Sequence, residues 1–223
     1  MSVTVDLVIL TVRDGLLQVL LVERGKPPFE GRPALPGGYL RGRETLDEAA
    51  LRELREETGV DGTHLHLEQL KTYSDPDRDP RGRVITTAYI ALGADLPEPV
   101  VGTDARTAFW VPVDSATRDG YLAFDHTLIL RDGVERARGK LEYTTVATAY
   151  CAESFTIAEL RRVYEVIWGT TLDPSNFRRK ITNAAGFLEP TGARRILAAG
   201  RPAALYRKGP ARVLMPPFLR SPE

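Results

Sequence analysis

The segment Gly38 to Val60 constrains this 223-residue chain most, because it combines an amphipathic helix with a crowd of carboxylates. Thr45 and Glu48 form a capping box and Gly59 offers a left-handed stop, so Thr45 to Thr58 is predicted helical. At about 100° per residue, Leu46, Ala50 and Leu54 make an apolar stripe, and Glu53, Glu56 and Glu57 fill the adjacent arc. A helix rich in Glu and Arg is ordinarily a solvated face. Three carboxylates this close, however, repel one another unless a cation neutralises them, and Mg²⁺ (or Mn²⁺) takes few protein oxygens together with substrate phosphates. Gly37 and Gly38, after Pro36, let the backbone approach metal and phosphate closely. Arg52 follows Glu48 by four residues in the favourable order, and it can also hold a metal-binding glutamate in one rotamer.

Strands are predicted at Val3 to Val12 and Leu16 to Glu23, joined by an Arg13-Asp14-Gly15 turn, and again at His64 to Tyr73, Val84 to Leu92 and near Ala108 to Val113. Gly25 to Gly38 reads as loop, and Ser74 to Arg83 is a long polar loop of functional character. Asp125 to Lys140 is predicted helical, with Gly133 costing about 1 kcal/mol relative to alanine. The apolar start lacks a basic leader and is broken by Asp6, so it reads as strand and not as a signal peptide. With no apolar run of membrane-spanning length, the protein is expected in the cytoplasm, without membrane contact. The single cysteine, Cys151, excludes an internal disulfide and reads as a small buried residue.

A net charge of zero conceals an asymmetry: residues 153–223 carry 12 Lys+Arg against 6 Asp+Glu, and the remainder carries 18 against 24. A basic tail behind an acidic body points to an anionic partner. Thr156 with Glu159 caps a helix whose Leu160, Val163, Tyr164 and Ile167 share one face, ending at Trp168-Gly169. Asp173-Pro174 starts a second helix that stops by Gly186. Phe177 and Ile181 face inward on it, leaving Ser175, Asn176, Arg178, Arg179 and Lys180 exposed, residue types that contact base edges and phosphates. Short strands at Phe187 to Glu189 and Ala203 to Tyr206 bracket a loop with Arg194, Arg195 and Arg201, placed like a wing. The expected organisation is a domain over 1–150, a winged helix-turn-helix over 151–208, and an irregular tail over 209–223.

The spacing G-x5-E-x7-R-E-U-x-E-E-x-G-U, with U apolar, is matched without substitution by Gly38, Glu44, Arg52, Glu53, Leu54, Glu56, Glu57, Gly59 and Val60, and it resembles the Nudix hydrolase signature. The resemblance implies an α/β/α sandwich with a mixed sheet. It also implies Glu53, Glu56 and Glu57 as metal ligands with a Gly38 backbone ligand, and Glu53 or Glu56 activating water. Ala34 to Gly38, Ser74-Asp75-Pro76 and Phe124-Asp125-His126 look like the subgroup acting on ADP-ribose, with Tyr73, Arg81 and Arg83 as candidates to stack on adenine or pair with phosphate. His64, His66 and His126 read as structural.

Over its full length the chain resembles the Nudix-related transcriptional regulators of NAD metabolism, the NrtR family. The stretches that carry this include Lys140 to Thr144, Asn176 to Lys180, Leu188 to Gly192 and Gly200 to Ala203. The resemblance implies a homodimeric repressor whose Nudix domain senses ADP-ribose or a related nucleotide diphosphate and whose winged helix binds a double-stranded DNA operator. Many such regulators have a degraded box, whereas here every glutamate survives. Hydrolysis of ADP-ribose to AMP and ribose 5-phosphate is therefore the alternative activity.

Overall fold

A computed structural model describes residues 1–58, 65–94, 96, 105–196 and 202–220, without the side chains of residues 57–58 and 105–106. Strands β1 (Ser2–Arg13) and β2 (Leu16–Arg24) are joined through Asp14 and Gly15, at φ 52° and 74°. Such a pair of positive φ angles matches the twist of the strands it connects. β1 lies centrally between β2 and the parallel β6 (Val84–Leu92), and β5 (His66–Tyr73) adds antiparallel to β6. The short β3 (Pro33–Ala34) and β7 (Ala105–Pro112) pair with β2, and β4 (Gly37–Tyr39) pairs with β1, completing a mixed seven-stranded sheet. β3 and β4 lie at the end of a stretch predicted to be loop. With two and three residues they are too short to show an alternating pattern, and pairing with longer strands creates them. Gly59 and His64 lie outside the described residues.

Alternation along β1 makes it a two-faced core strand. Val5, Leu7 and Ile9 pack with Ala49, Ala50 and Leu54 of α1 (Leu46–Thr58). Val8 meets α3 (His126–Tyr143) at Gly133, where an added Cβ would fall 2.8 Å from Val8 Cγ1. The α/β/α arrangement implied by the sequence is present, and α2 (Val113–Ala116) is one unanticipated helical turn after β7.

The chain forms two units, 1–11 with 17–135, and 12–16 with 136–223. The last turns of α3 thus pack within the second unit. The reason is that the end of α3 bonds to α4 (Ile157–Trp168): Trp168 Nε1 donates to the Arg138 carbonyl at 3.1 Å, and Tyr164 OH to that of Leu141 at 3.2 Å. Val146–Tyr150 forms a 3-10 turn. The Thr156–Glu159 capping box and left-handed Gly169 bound α4, and Asp173 caps α5 (Pro174–Asn183) by accepting from the Asn176 N–H at 2.7 Å. β8 (Leu188–Arg195) and β9 (Ala203–Lys208) make the expected hairpin, longer than predicted. The tail from Gly209 contains no helix or strand among its described residues, yet it is anchored. Leu214 N–H donates to the Tyr143 carbonyl and Phe218 N–H to that of Glu142, both at 2.8 Å. Phe218 joins Tyr164, Trp168 and Phe177 in an aromatic cluster with centroids 4.9 to 5.5 Å apart.

Gly133 is therefore a packing requirement and more than a tolerated helix defect. Gly133→Ala is expected to destabilise the protein by about 1–3 kcal/mol in denaturant unfolding through overpacking against Val8, despite the roughly 1 kcal/mol gain in helix propensity. A stabilised variant would contradict this.

Candidate functional site

Helix α1 carries its carboxylates on the edge left after its apolar stripe is buried. Ala50 and Leu54 are fully buried, Leu46 is partly so, and Glu53 beside them is only 5% exposed. Glu53 faces Gly38 on β4 so closely that a Cβ at Gly38 would lie 2.0 Å from Glu53 Oε1. A missing side chain thus leaves backbone and carboxylate oxygen side by side, a hard-oxygen cradle suited to a divalent ion. Burial pushes the Glu53 carboxyl above its usual range, against the opposing pull of Arg52. Glu56, one turn on, lines the same cleft. Glu57's side chain lies outside the described residues, and among the described ones no cluster of three or more His, Cys, Asp or Glu is placed to hold a metal.

Arg52 organises this edge, but not by pairing with Glu48 as its spacing suggests. Glu48 closes the capping box, accepting from the Thr45 N–H at 2.7 Å. Arg52 instead donates to both oxygens of Glu44 at 2.7 and 3.0 Å, to Glu53 at 2.6 Å, to Glu56 at 3.4 Å and to the Tyr39 carbonyl at 3.2 Å. Its hydrogen bonds hold the Glu44 carboxyl down at about 2. Arg41 forms a fork on Glu56, at 2.8 and 3.1 Å.

Beside these carboxylates opens a cleft of about 360 Å³, within the size range of small-ligand sites. Its opposite wall is cationic and aromatic. The guanidinium of Arg24 lies 4.6 Å from the Phe124 ring centre, and that of Arg81 lies 5.4 Å from the same ring and 5.8 Å from that of Tyr39. Burial, and then the charge of Arg81, lower the Arg24 pKa, so this wall would gain from a bound anion. Phe124 adopts φ 54°, a costly conformation for an aromatic residue, and its ring packs edge-on against Phe29 at 4.9 Å. Below, the buried Arg78 grips Asp125 at 2.7 and 2.9 Å and Asp6 at 3.5 Å, tying the loop after β5 to the start of α3.

Of the three ligand candidates, only Arg81 lines the cleft. Tyr73 is buried on β5 with its hydroxyl donating to Asp132 at 2.7 Å, and Arg83 is exposed just before β6; neither reaches the cleft wall. Arg24, Arg41 and Arg78 also line the cleft without a sequence pattern that marks them as ligand contacts, and Phe124 lines it from the Phe124-Asp125-His126 motif. Asp6 in its apolar strand, the polar loop that carries Arg78 and the Phe124-Asp125-His126 motif are the local signals of this buried network.

In the second unit, Ser175, Asn176, Arg178, Arg179 and Lys180 are all exposed on α5, while Phe177 and Ile181 are each 1% exposed. The basic stripe is therefore presented outward. Arg179 donates to Asn176 at 2.8 Å, and the Lys180 ammonium sits 4.6 Å from the Phe218 ring centre. On the hairpin Arg194 is exposed, but Arg195 turns to Glu159 at 2.6 Å and to the Ser154 carbonyl at 3.2 Å. Arg201 lies outside the described residues.

His126 is buried at the cleft floor. Its Nδ1 accepts the Leu35 N–H at 2.9 Å, which places the proton on Nε2, and burial lowers its pKa. The unfolded chain therefore takes up this proton first, so His126 erodes stability as pH falls below its ordinary value of 6.5. Denaturant unfolding between pH 7.5 and 5.5 should show a decline that is flatter in His126→Gln, the difference not exceeding about 1.4 kcal/mol per pH unit. Equal slopes would refute the assignment.

Two family models match the chain: the NUDIX domain over residues 2–132 and the NrtR DNA-binding winged helix domain over residues 149–207. The ADPR-responsive transcriptional repressor NtrR of Acinetobacter baylyi is 36% identical over 206 residues, covering 92% of this chain and 80% of that protein. The ADP-ribose pyrophosphatase of Methanocaldococcus jannaschii is 40% identical over 125 residues, 53% of this chain and 69% of that enzyme. The crystal structure of Shewanella oneidensis NrtR complexed with a 27mer DNA superposes with a TM-score of 0.80 at 34% identity, covering 99% of each chain. Because the likeness runs through both units and not the Nudix domain alone, this chain belongs to the NrtR family.

Proposed function

We propose that this protein is a transcriptional repressor that binds a double-stranded operator through α5 and its hairpin, as a homodimer, and that responds to ADP-ribose or a related nucleotide diphosphate in its Nudix cleft. The observation that carries this reading is the outward stripe of Ser175, Asn176 and Arg178 on a capped helix seated by Phe177 and Ile181. These side chains can reach base edges and phosphates, with Arg194 alongside on the hairpin. In the cleft, Arg24 and Arg81 would meet the diphosphate, backed by the Phe124 ring over which both guanidiniums lie. The ADPR-responsive repressor named above supports ADP-ribose as the ligand and repression as the output, and operators at genes of NAD metabolism, released by the ligand, are the expectation carried over from the family resemblance. For ADP-ribose to act as a switch, it must bind the DNA-competent and incompetent states with different affinity.

A second reading, slow hydrolysis of ADP-ribose, is favoured by the oxygen cradle of Gly38 and Glu53. Nudix relatives imply a divalent metal, and Mg²⁺ or Mn²⁺ would be held here by Glu53, Glu56 and the Gly38 backbone, with Glu57 as a further ligand. When bound, such an ion polarises the diphosphate and lowers the pKa of an attacking water. Glu53 or Glu56 would take the proton from that water.

Operator DNA titrated by fluorescence anisotropy at fixed salt should bind specifically and be released by ADP-ribose, while parallel assay detects little AMP. Arg178→Ala should weaken binding by about 1–3 kcal/mol. Rapid AMP release without DNA binding would make the protein a hydrolase and defeat the first reading.

A further inference from the structure

The fork of Arg41 on Glu56 stands apart from the other ion pairs of the box. Arg52 is fixed by Glu44 and the Tyr39 carbonyl whatever happens at Glu56. The Arg41 guanidinium has no hydrogen-bond partner but Glu56 among the described residues, and its side chain is 56% exposed. Its backbone is pinned, because the Arg41 N–H donates to Glu44. The side chain thus hangs from a fixed point in the loop between β4 and α1, over the cleft that it lines. Both Glu56 oxygens face guanidinium nitrogens: Oε1 meets Arg41, and Oε2 meets Arg41 and Arg52.

We propose that Arg41 is a built-in counter-cation that a divalent metal must displace from Glu56, and that an arriving diphosphate releases it by offering phosphate oxygens to the same guanidinium. A carboxylate already bridged in a two-point pair is a poorer ligand for a second cation, and like charges at this separation repel. The guanidinium fork fits phosphate oxygens as well as it fits carboxylate. Metal alone is therefore held weakly, and metal with nucleotide is held more tightly. By linkage the metal strengthens nucleotide binding by the same factor. A complete set of glutamates is thereby kept from loading metal until ligand is present, which suits a sensor better than an enzyme poised for turnover. This inference rests on the cleft being a nucleotide diphosphate site.

The test counts free Mn²⁺ by electron paramagnetic resonance during titration of the full-length protein, with and without ADP-ribose. Without nucleotide, Arg41→Gln should bind Mn²⁺ about three- to tenfold more tightly than the natural chain, the scale of losing an exposed two-point pair and a neighbouring like charge. Arg41→Lys should fall between them. In a Glu56→Gln background, compared with Glu56→Gln alone, Arg41→Gln should bring no such gain. ADP-ribose should tighten Mn²⁺ binding more in the natural chain than in Arg41→Gln. Equal or weaker Mn²⁺ binding by Arg41→Gln, or a gain that survives Glu56→Gln, overturns the role of Arg41. Calorimetric titration with ADP-ribose alone judges the underlying site separately: if no binding occurs, the nucleotide reading falls, while the nucleotide-free Mn²⁺ comparison still decides whether Arg41 guards Glu56.

Discussion

The guanidinium of Arg52 is the interaction on which the site depends. Helix α1 must bury Ala49, Ala50 and Leu54 against β1, and that rotation brings Glu53 to 5% exposure. A carboxylate so desolvated is costly unless a partner compensates it. Arg52 provides that partner, and because it also binds Glu44 and the Tyr39 carbonyl, it joins three segments: the end of β4, the loop after it, and α1. Gly38 completes the arrangement by leaving no Cβ where the Glu53 carboxylate sits. The glycine, the arginine and the glutamates of the box are thus parts of one packing solution, which explains why they occur at a fixed spacing.

In the second unit an aromatic cluster does the comparable work. Tyr164 and Trp168 of α4 and Phe177 of α5 surround Phe218, and Lys180 lies over the Phe218 ring. Four large rings supply more buried apolar surface than two short helices could offer from aliphatic residues alone. One of them comes from beyond the matched winged-helix region, so the last stretch of chain is part of the core of this unit and sets where one α5 cation rests.

Features encoded by neighbours in the chain were legible in the sequence. The caps at Thr45, Thr156 and Asp173, the apolar stripe of α1, the Asp14-Gly15 turn and the outward set on α5 all follow from residues within two turns of one another. What escaped came from distant segments. Helical spacing offers Arg52 to Glu48, but the cap claims Glu48 and the folded loop supplies Glu44, while the other reading of Arg52, as the holder of a box glutamate, agrees with its bond to Glu53. Tyr73 and Arg83 flank the loop that carries Arg81, yet alternation in β5 turns Tyr73 to Asp132, and Arg83 precedes β6 outside the cleft. Arg24 and Phe124 are 100 positions apart yet meet in the cleft, with Phe124 at a positive φ that no local pattern announces.

The cleft divides into two halves with different electrostatic needs. Arg24 and Arg81 share one aromatic ring, with Arg24 below its usual pKa, and any suitably placed anion relieves them. Glu53 is met by Arg52 at one carboxylate oxygen, and Glu56 is met at both, by Arg41 and Arg52. On the function proposed above, nucleotide capture would draw on the cationic half, whereas bond cleavage would also require an ion correctly placed among the carboxylates. Separate demands of this kind allow a chain to keep every described glutamate of a hydrolytic box while its ligand acts mainly as a signal.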